Sequence, residues 1–219
     1  PDANYNGSDS FTVMVTDGGG LSDTIIVYVE IAPIADIYYV DNTNPAASDS
    51  NPGTNPSLPF LTILKGVARA RAGDTVNVLA GTYAETIWLN QYDGKNGYPI
   101  TFHAEDGVTV TGNGIFGSGS AFSISDRKYI IIDGFDIIET AYRGIYIRNS
   151  DHITLTNNYI FEAGEPVAGH EAEGINLSNT TYSTIEGNTT CNNTSTGILL
   201  RDGSHHNTIR KNISCSNYA

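Results

Sequence analysis

The chain has 219 residues, 39% of them hydrophobic and only 16% charged, and 11 Lys and Arg stand against 24 Asp and Glu for a net charge of −13. This balance excludes a disordered polyelectrolyte and argues against nucleic acid or an anionic membrane as partner, while an acidic surface suits cations such as calcium. No run of about 18 apolar residues could insert into a membrane, two cysteines allow at most one disulfide, and 23 glycines suit strands joined by tight corners.

The sequence opens at Pro1 in mid-pattern with no basic and apolar leader, as expected of a piece of a longer protein. Residues 4–36 read NYNGSDSFTVMVTDGGGLSDTIIVYVEIAPIAD. Phe11, Val13 and Val15 alternate with polar residues as one strand, and Ile25, Val27 and Val29 mark a second. Asp17-Gly18-Gly19-Gly20 is the turn between them, and Pro33 ends the second strand and opens a linker. The segment resembles the closing hairpin of bacterial cadherin-like or Ig-like tandem modules. That resemblance implies a hairpin remnant of a β-sandwich over residues 1–36, and raises Asp17 and Asp36 as calcium ligands near the linker. The plainer alternative is turn and linker acids in water.

After Leu58-Pro59-Phe60, Leu61, Leu64, Val67 and Ala68 recur at helical spacing, with Gly73 as a C-cap. A short amphipathic helix here would cap the open end of a solenoid. The remainder of the chain carries the repeat that such a solenoid needs. YIIIDGF, HITLTNN, YSTIEGN and HNTIRKN end on Phe135, Asn158, Asn188 and Asn212, spaced by 23, 30 and 24. A second phrase, GIYIRNS, GINLSNT and GILLRDG, starts at Gly144, Gly174 and Gly197 and advances in step. Counting back about 23 residues per rung adds AFSIS at Ala121, then PITFH (99–103) and TVNVL (75–79).

Short strands at such a period bury their apolar face only by stacking rung on rung. The prediction is an all-β, right-handed parallel β-helix with three strands per rung. The inward pairs of the first strand are Val76/Val78, Ile100/Phe102, Phe122/Ile124, Ile145/Ile147, Ile175/Leu177 and Ile198/Leu200. Asn158, Asn188 and Asn212 stack at one corner, where their amides can bond along the column. Cys191 and Cys215 lie one rung apart, as a disulfide or as paired buried thiols.

The stretch IYYVDNTNPAASDSNPGTNPSLPFLTILKGVARARAGDTVNVLAGTYAETIWL (37–89), with PITFHAEDGVTVTGNG and NosD-type rungs after it, resembles secreted bacterial β-helix proteins of the pectate-lyase-like superfamily. The resemblance covers residues 37–219 and implies the N-terminal part of a β-helix domain, an extracellular or cell-surface setting and a polysaccharide partner. It also implies a substrate groove on the outer face of the first strand.

The outward residues predicted there are Asn77, Thr101, Ser123, Tyr146, Asn176 and Leu199, and beside them Leu79, His103, Ser125, Arg148, Ser178 and Arg201. Tyr146 can stack on a sugar, Asn176 can bond to it, and Arg148 and Arg201 can hold uronate carboxylates. Solvent-facing side chains that merely cover the sheet are the alternative. The seven extra residues of one rung fall in Glu162–Glu173, which holds His170 as a candidate acid or base and Glu165, Glu171 and Glu173 as candidate calcium ligands. A solvated acidic loop is the bland reading. His205-His206 is a polar turn or a metal-binding pair.

The lyase resemblance implies β-elimination on a uronic-acid polymer by a monomeric protein, with His170, Arg148 and Arg201 as catalytic candidates. Lys128 and Lys211 lie at turns, and no close Asp pair of the hydrolase type is present. The alternative is a non-catalytic adhesive or stalk protein.

Overall fold

The computed structural model describes residues 7–114, 120–164 and 172–218. The chain divides into two compact units, Pro1–Ala35 and Asp36–Ala219.

In the first unit, Gly7–Thr16 pairs antiparallel with Ser22–Ile31, Phe11 opposite Val27 and Val13 opposite Ile25. The Asp17 carboxylate organises the turn by accepting from the backbone N–H groups of Gly19 (2.8 Å) and Leu21 (2.9 Å). Both faces of this hairpin are largely exposed, Phe11, Ile25 and Tyr28 included.

The second unit is a right-handed parallel β-helix of three sheets. The five-stranded sheet stacks Ile87–Leu89, Phe122–Ser125, Ile145–Arg148, Ile175–Ser178 and Ile198–Arg201. The seven-stranded sheet stacks Ile37–Val40, Thr75–Val78, Ile100–Ala104, Lys128–Asp133, Asp151–Thr156, Thr184–Glu186 and Thr208–Arg210. The six-stranded sheet runs from Gly81–Tyr83 to Ile213–Cys215. Alternate Ile, Val, Leu and Phe side chains from all three point inward and form one continuous core.

Register partners in the last three steps of the seven-stranded sheet lie 23, 30 and 24 residues apart, as Ile130–Ile153, Thr154–Thr184 and Thr184–Thr208. These are the spacings of the sequence repeat. The earlier steps of that sheet are 38, 26 and 30 residues, each above the period of about 23 used to count back, and there the backward count fails. TVNVL and PITFH lie in the seven-stranded sheet, where Val76 faces Phe102 and Ile100 faces Ile130. The strand beneath Phe122 is Ile87–Leu89, 35 residues earlier. Val76, Val78, Ile100 and Phe102 are buried as expected, but in the second column rather than the first. Apolar alternation is the same on every sheet of a β-helix, so it sets the inward face and not the column.

The predicted helix spans Ile63–Arg69, packed over the first strands of the solenoid. Its buried stripe is Ile63, Gly66, Val67 and then Ala70; Leu61 and Leu64 are exposed, contrary to expectation. Gly66 is needed for close approach, since a Cβ there would lie 2.6 Å from a Val76 methyl. The helix ends at Ala70, which caps onto the Gly66 carbonyl, and Gly73 lies beyond it.

The Asn ladder forms as predicted. Asn158 Nδ2 donates to Asn188 Oδ1 (2.9 Å), and Asn188 Nδ2 to Asn212 Oδ1 (3.1 Å). A second ladder, Asn193 to Asn217 (2.8 Å), escaped the sequence reading. Cys191 and Cys215 stack as register partners and are joined by a disulfide, with Cα atoms 4.6 Å apart.

Candidate functional site

The outer face of the five-stranded sheet carries the side chains that sequence singled out. In register along the axis stand Trp88, Ser123, Tyr146, Asn176 and Leu199. Beside them run Ser125, Arg148, Ser178 and Arg201. Asn77 and Thr101 drop out of the predicted column, and Leu79 and His103 out of the second, because their strands belong to the seven-stranded sheet. His103 is bonded there to Asp133 through Nδ1 (2.9 Å).

Trp88 takes the vacated place, and sequence reasoning missed it. The alternation Ile87-Trp88-Leu89, buried–exposed–buried, was its signal. Trp88 is 46% exposed, enough to offer a ring face. Two rungs separate Trp88 from Tyr146, and two more separate Arg148 from Arg201, about 10 Å in each case at the usual strand spacing. Ser123 and Ser178 fill the steps between, so the larger side chains stand clear of each other.

Arg148 is exposed and makes no ion pair with a described residue. Arg201 donates from Nε to Asn176 Oδ1 (3.3 Å) and lies 3.6 Å from Asp202 Oδ2. Asn176 points outward from its strand yet is fully buried, so it supports Arg201 from beneath.

Arg143, also missed, sits one residue before the glycine that opens its strand. Its guanidinium lies 4.2 Å from the Tyr142 ring centroid and 5.2 Å from that of Tyr146, and it pairs with Glu173. Burial pushes the Glu173 carboxyl up, but the charge and hydrogen bond of Arg143 outweigh it and hold Glu173 below the usual carboxylate range. The proposed calcium ligand is therefore an ion-pair partner of Arg143. Glu165, His170 and Glu171 lie outside the described residues. Among the described residues no group of three His, Cys, Asp or Glu converges to hold a metal.

The corner that leads from the six-stranded sheet into this face holds a groove of about 670 Å³, lined by Glu139, Glu162, Asn192 and Ser216. These residues occupy one corner column, all at positive φ.

A family model for the right handed beta helix region matches residues 94–219, more than half of the chain. The chain belongs to the right-handed β-helix family. It is 32% identical over 130 residues to the uncharacterized protein YwoF of Bacillus subtilis (strain 168), an alignment that covers 53% of this chain and 27% of YwoF. Among solved structures, it resembles pectate lyase Pel9A with a TM-score of 0.63 and 18% identity, over 83% of this chain and 48% of that one. It also resembles the GH136 lacto-N-biosidase of Eubacterium ramulus, with a TM-score of 0.60 and 15% identity over 83% and 43%. The chain spans less than half of either structure and about a quarter of YwoF.

Proposed function

We propose that this chain is part of an extracellular carbohydrate-active protein that binds a uronic-acid polysaccharide along the outer face of the five-stranded sheet and cleaves it by β-elimination. One observation carries the reading. Two guanidinium groups, Arg148 and Arg201, stand two rungs apart beside Trp88 and Tyr146, which are themselves two rungs apart, on one open face. Flat apolar rings suit the C–H faces of sugars, and a guanidinium fork suits a carboxylate. The likeness to Pel9A and to the lacto-N-biosidase supports carbohydrate chemistry on this fold. The disulfide supports an oxidising, extracellular setting.

In the elimination, a base takes the C5 proton, the C5–H pair becomes the C4=C5 double bond, and the C4–O bond breaks with its pair on the leaving oxygen. Arg148 or Arg201 neutralises the uronate carboxylate, which acidifies that proton. His170 is the base on this reading. Glu173 is committed to Arg143, so of the three carboxylates considered for calcium only Glu165 and Glu171 would be left to hold it.

One observation favours glycan binding without catalysis: the five strands of this face present no Lys, His, Asp or Glu. The full protein, incubated with polygalacturonate, alginate and chondroitin sulfate with and without calcium, separates the two. Growing ultraviolet absorbance from unsaturated ends, lost in Arg148→Ala/Arg201→Ala, supports elimination. Binding without new absorbance on any of them overturns it and leaves an adhesive module.

A further inference from the structure

Each regular turn of the solenoid passes four corner residues in the left-handed conformation. After the first strand they are Asp126, Asn149, Asn179 and Asp202; after the second, Gly134, Asn157, Gly187 and Lys211; after the third, Glu139, Glu162, Asn192 and Ser216. Most of these are residues that reach positive φ cheaply or carry a flexible side chain. The corner before the second strand differs. There stand Tyr129, His152, Tyr182 and His206, at φ of 54°, 56°, 51° and 56°. Tyr129 and Tyr182 are bulky rings held in a conformation that disfavours them, and two histidines alternate with them in the same column.

The rings stack along the axis. Centroids are 4.6 Å apart from Tyr129 to His152, 5.6 Å from His152 to Tyr182 and 5.0 Å from Tyr182 to His206, with planes within 28°. His152 Nδ1 bonds to Asp151 (2.6 Å), and Asp151 pairs with Lys128 (2.9 Å), which fixes the second ring. Beside this ladder, outward residues of the seven-stranded sheet form a floor of Ile131, Thr154 and Thr184. The Lys95–Pro99 loop closes one end of the resulting groove, which holds about 320 Å³. Thr208 continues the threonine column one turn further.

We propose that this groove is a second glycan-binding site, taking an extended polysaccharide chain laid along the solenoid axis. Tyr129 stands over the apolar Ile131, and from His152 onward the groove offers the same pair at successive turns: a ring edge with a phenol or imidazole polar tip, and a threonine hydroxyl. The step is one rung, about 4.8 Å, close to the length of one extended pyranose unit. A regular polymer with hydroxyls and C–H surface on every unit makes the same contact at each turn. An extended peptide advances only about 3.3 Å per residue and falls out of step, and nucleic acid is disfavoured by the net charge of −13. The site shares no residue with the five-stranded face, so the two readings fail separately.

The test uses substitutions that suit the backbone. Asn takes the left-handed conformation more readily than Tyr or His, so His152→Asn/Tyr182→Asn removes the rings without straining the corner. Binding of polygalacturonate, alginate and neutral xylan is measured by affinity electrophoresis, below the melting temperature of each variant. The expected result is that Arg148→Ala/Arg201→Ala retains binding to at least one of these polymers. Adding the two Asn substitutions then weakens that binding about tenfold or more, with the melting temperature held or raised. Complete loss of binding in the Arg variant overturns the proposal. So does unchanged binding in the Asn variant, which would make the ladder a structural stack only.

Discussion

At the N-terminal end of the solenoid, backbone donors that no strand pairs are taken up by carboxylates, whereas at the C-terminal end stacked amides and hydroxyls do this work. Asp49 accepts from the N–H groups of Leu61 and Thr62, both at 3.0 Å. Glu85 accepts from Ile63 (2.9 Å) and Leu64 (3.0 Å) at the start of the capping helix, and Asp74 from Asp36 and Arg71, both at 2.8 Å. Further along, Asn158, Asn188, Asn212, Asn193 and Asn217 take over, with Ser183 and Ser204 at the other corners. The difference arises from the repeat. Where turns are alike, one neutral amide serves the turn below and is served by the turn above. Where the chain caps an end, no such neighbour exists, and a side chain with two strong acceptors must reach across.

The largest expected effect lies in the amide end. Asn188→Ala strands the Asn158 N–H and one Asn158 amide hydrogen, both of which Asn188 Oδ1 now accepts in the core, and removes a bond to the Leu155 carbonyl. With each orphaned group costing about 1–3 kcal/mol, we expect a loss of about 4 kcal/mol in denaturant unfolding. A loss below 1 kcal/mol would mean that the ladder is ornamental and the contrast false.

A smaller effect concerns the disulfide, which staples the last two turns across 24 residues. Cys191→Ala/Cys215→Ala should cost about 3 kcal/mol by loop-closure arguments. Hydrogen exchange should show the loss in the final turns and not around the capping helix.

The smallest effect tests the carboxylate end. Glu85→Ala leaves the first two helix donors open, a change of about 1–2 kcal/mol by analogy with lost N-caps. Its pH dependence sharpens the comparison. Burial raises the Glu85 carboxyl above its ordinary pKa despite the two N–H bonds. Its folded pKa exceeds its unfolded one, so its contribution is greatest below the ordinary range and declines as pH rises through the folded value. Asp133 behaves oppositely. Burial favours a rise there, but hydrogen bonds from Thr156, Asn157 and His103 hold it low. Its stabilisation is present above the ordinary pKa and is lost as pH falls through the folded one. Stability curves against pH should therefore flatten on the rising side in Glu85→Gln and on the acid side in Asp133→Asn. The same sign in both would break the comparison.

Particular residues show where legibility ended. The Asn158, Asn188 and Asn212 ladder was readable because the repeat placed identical amides one turn apart. Arg148, Arg201 and Tyr146 were readable as outward positions because alternation sets the face of each strand. Trp88 was not, since its strand lies 35 residues before its partner rather than 23. Asn176 was read as a surface group, but neighbouring side chains bury it. Arg143 and its pair with Glu173 depend on two loops meeting one rung apart.

What the amino-acid order by itself determined is the solenoid: period, inward face and corner amides, all set by near-neighbour chemistry repeated along the chain. The assignment of early strands to sheets, the partner of Glu173, and the aromatic groove beside Thr154 and Thr184 were decided only in three dimensions. Loops of unequal length shift one turn against the next, and no local pattern records that shift.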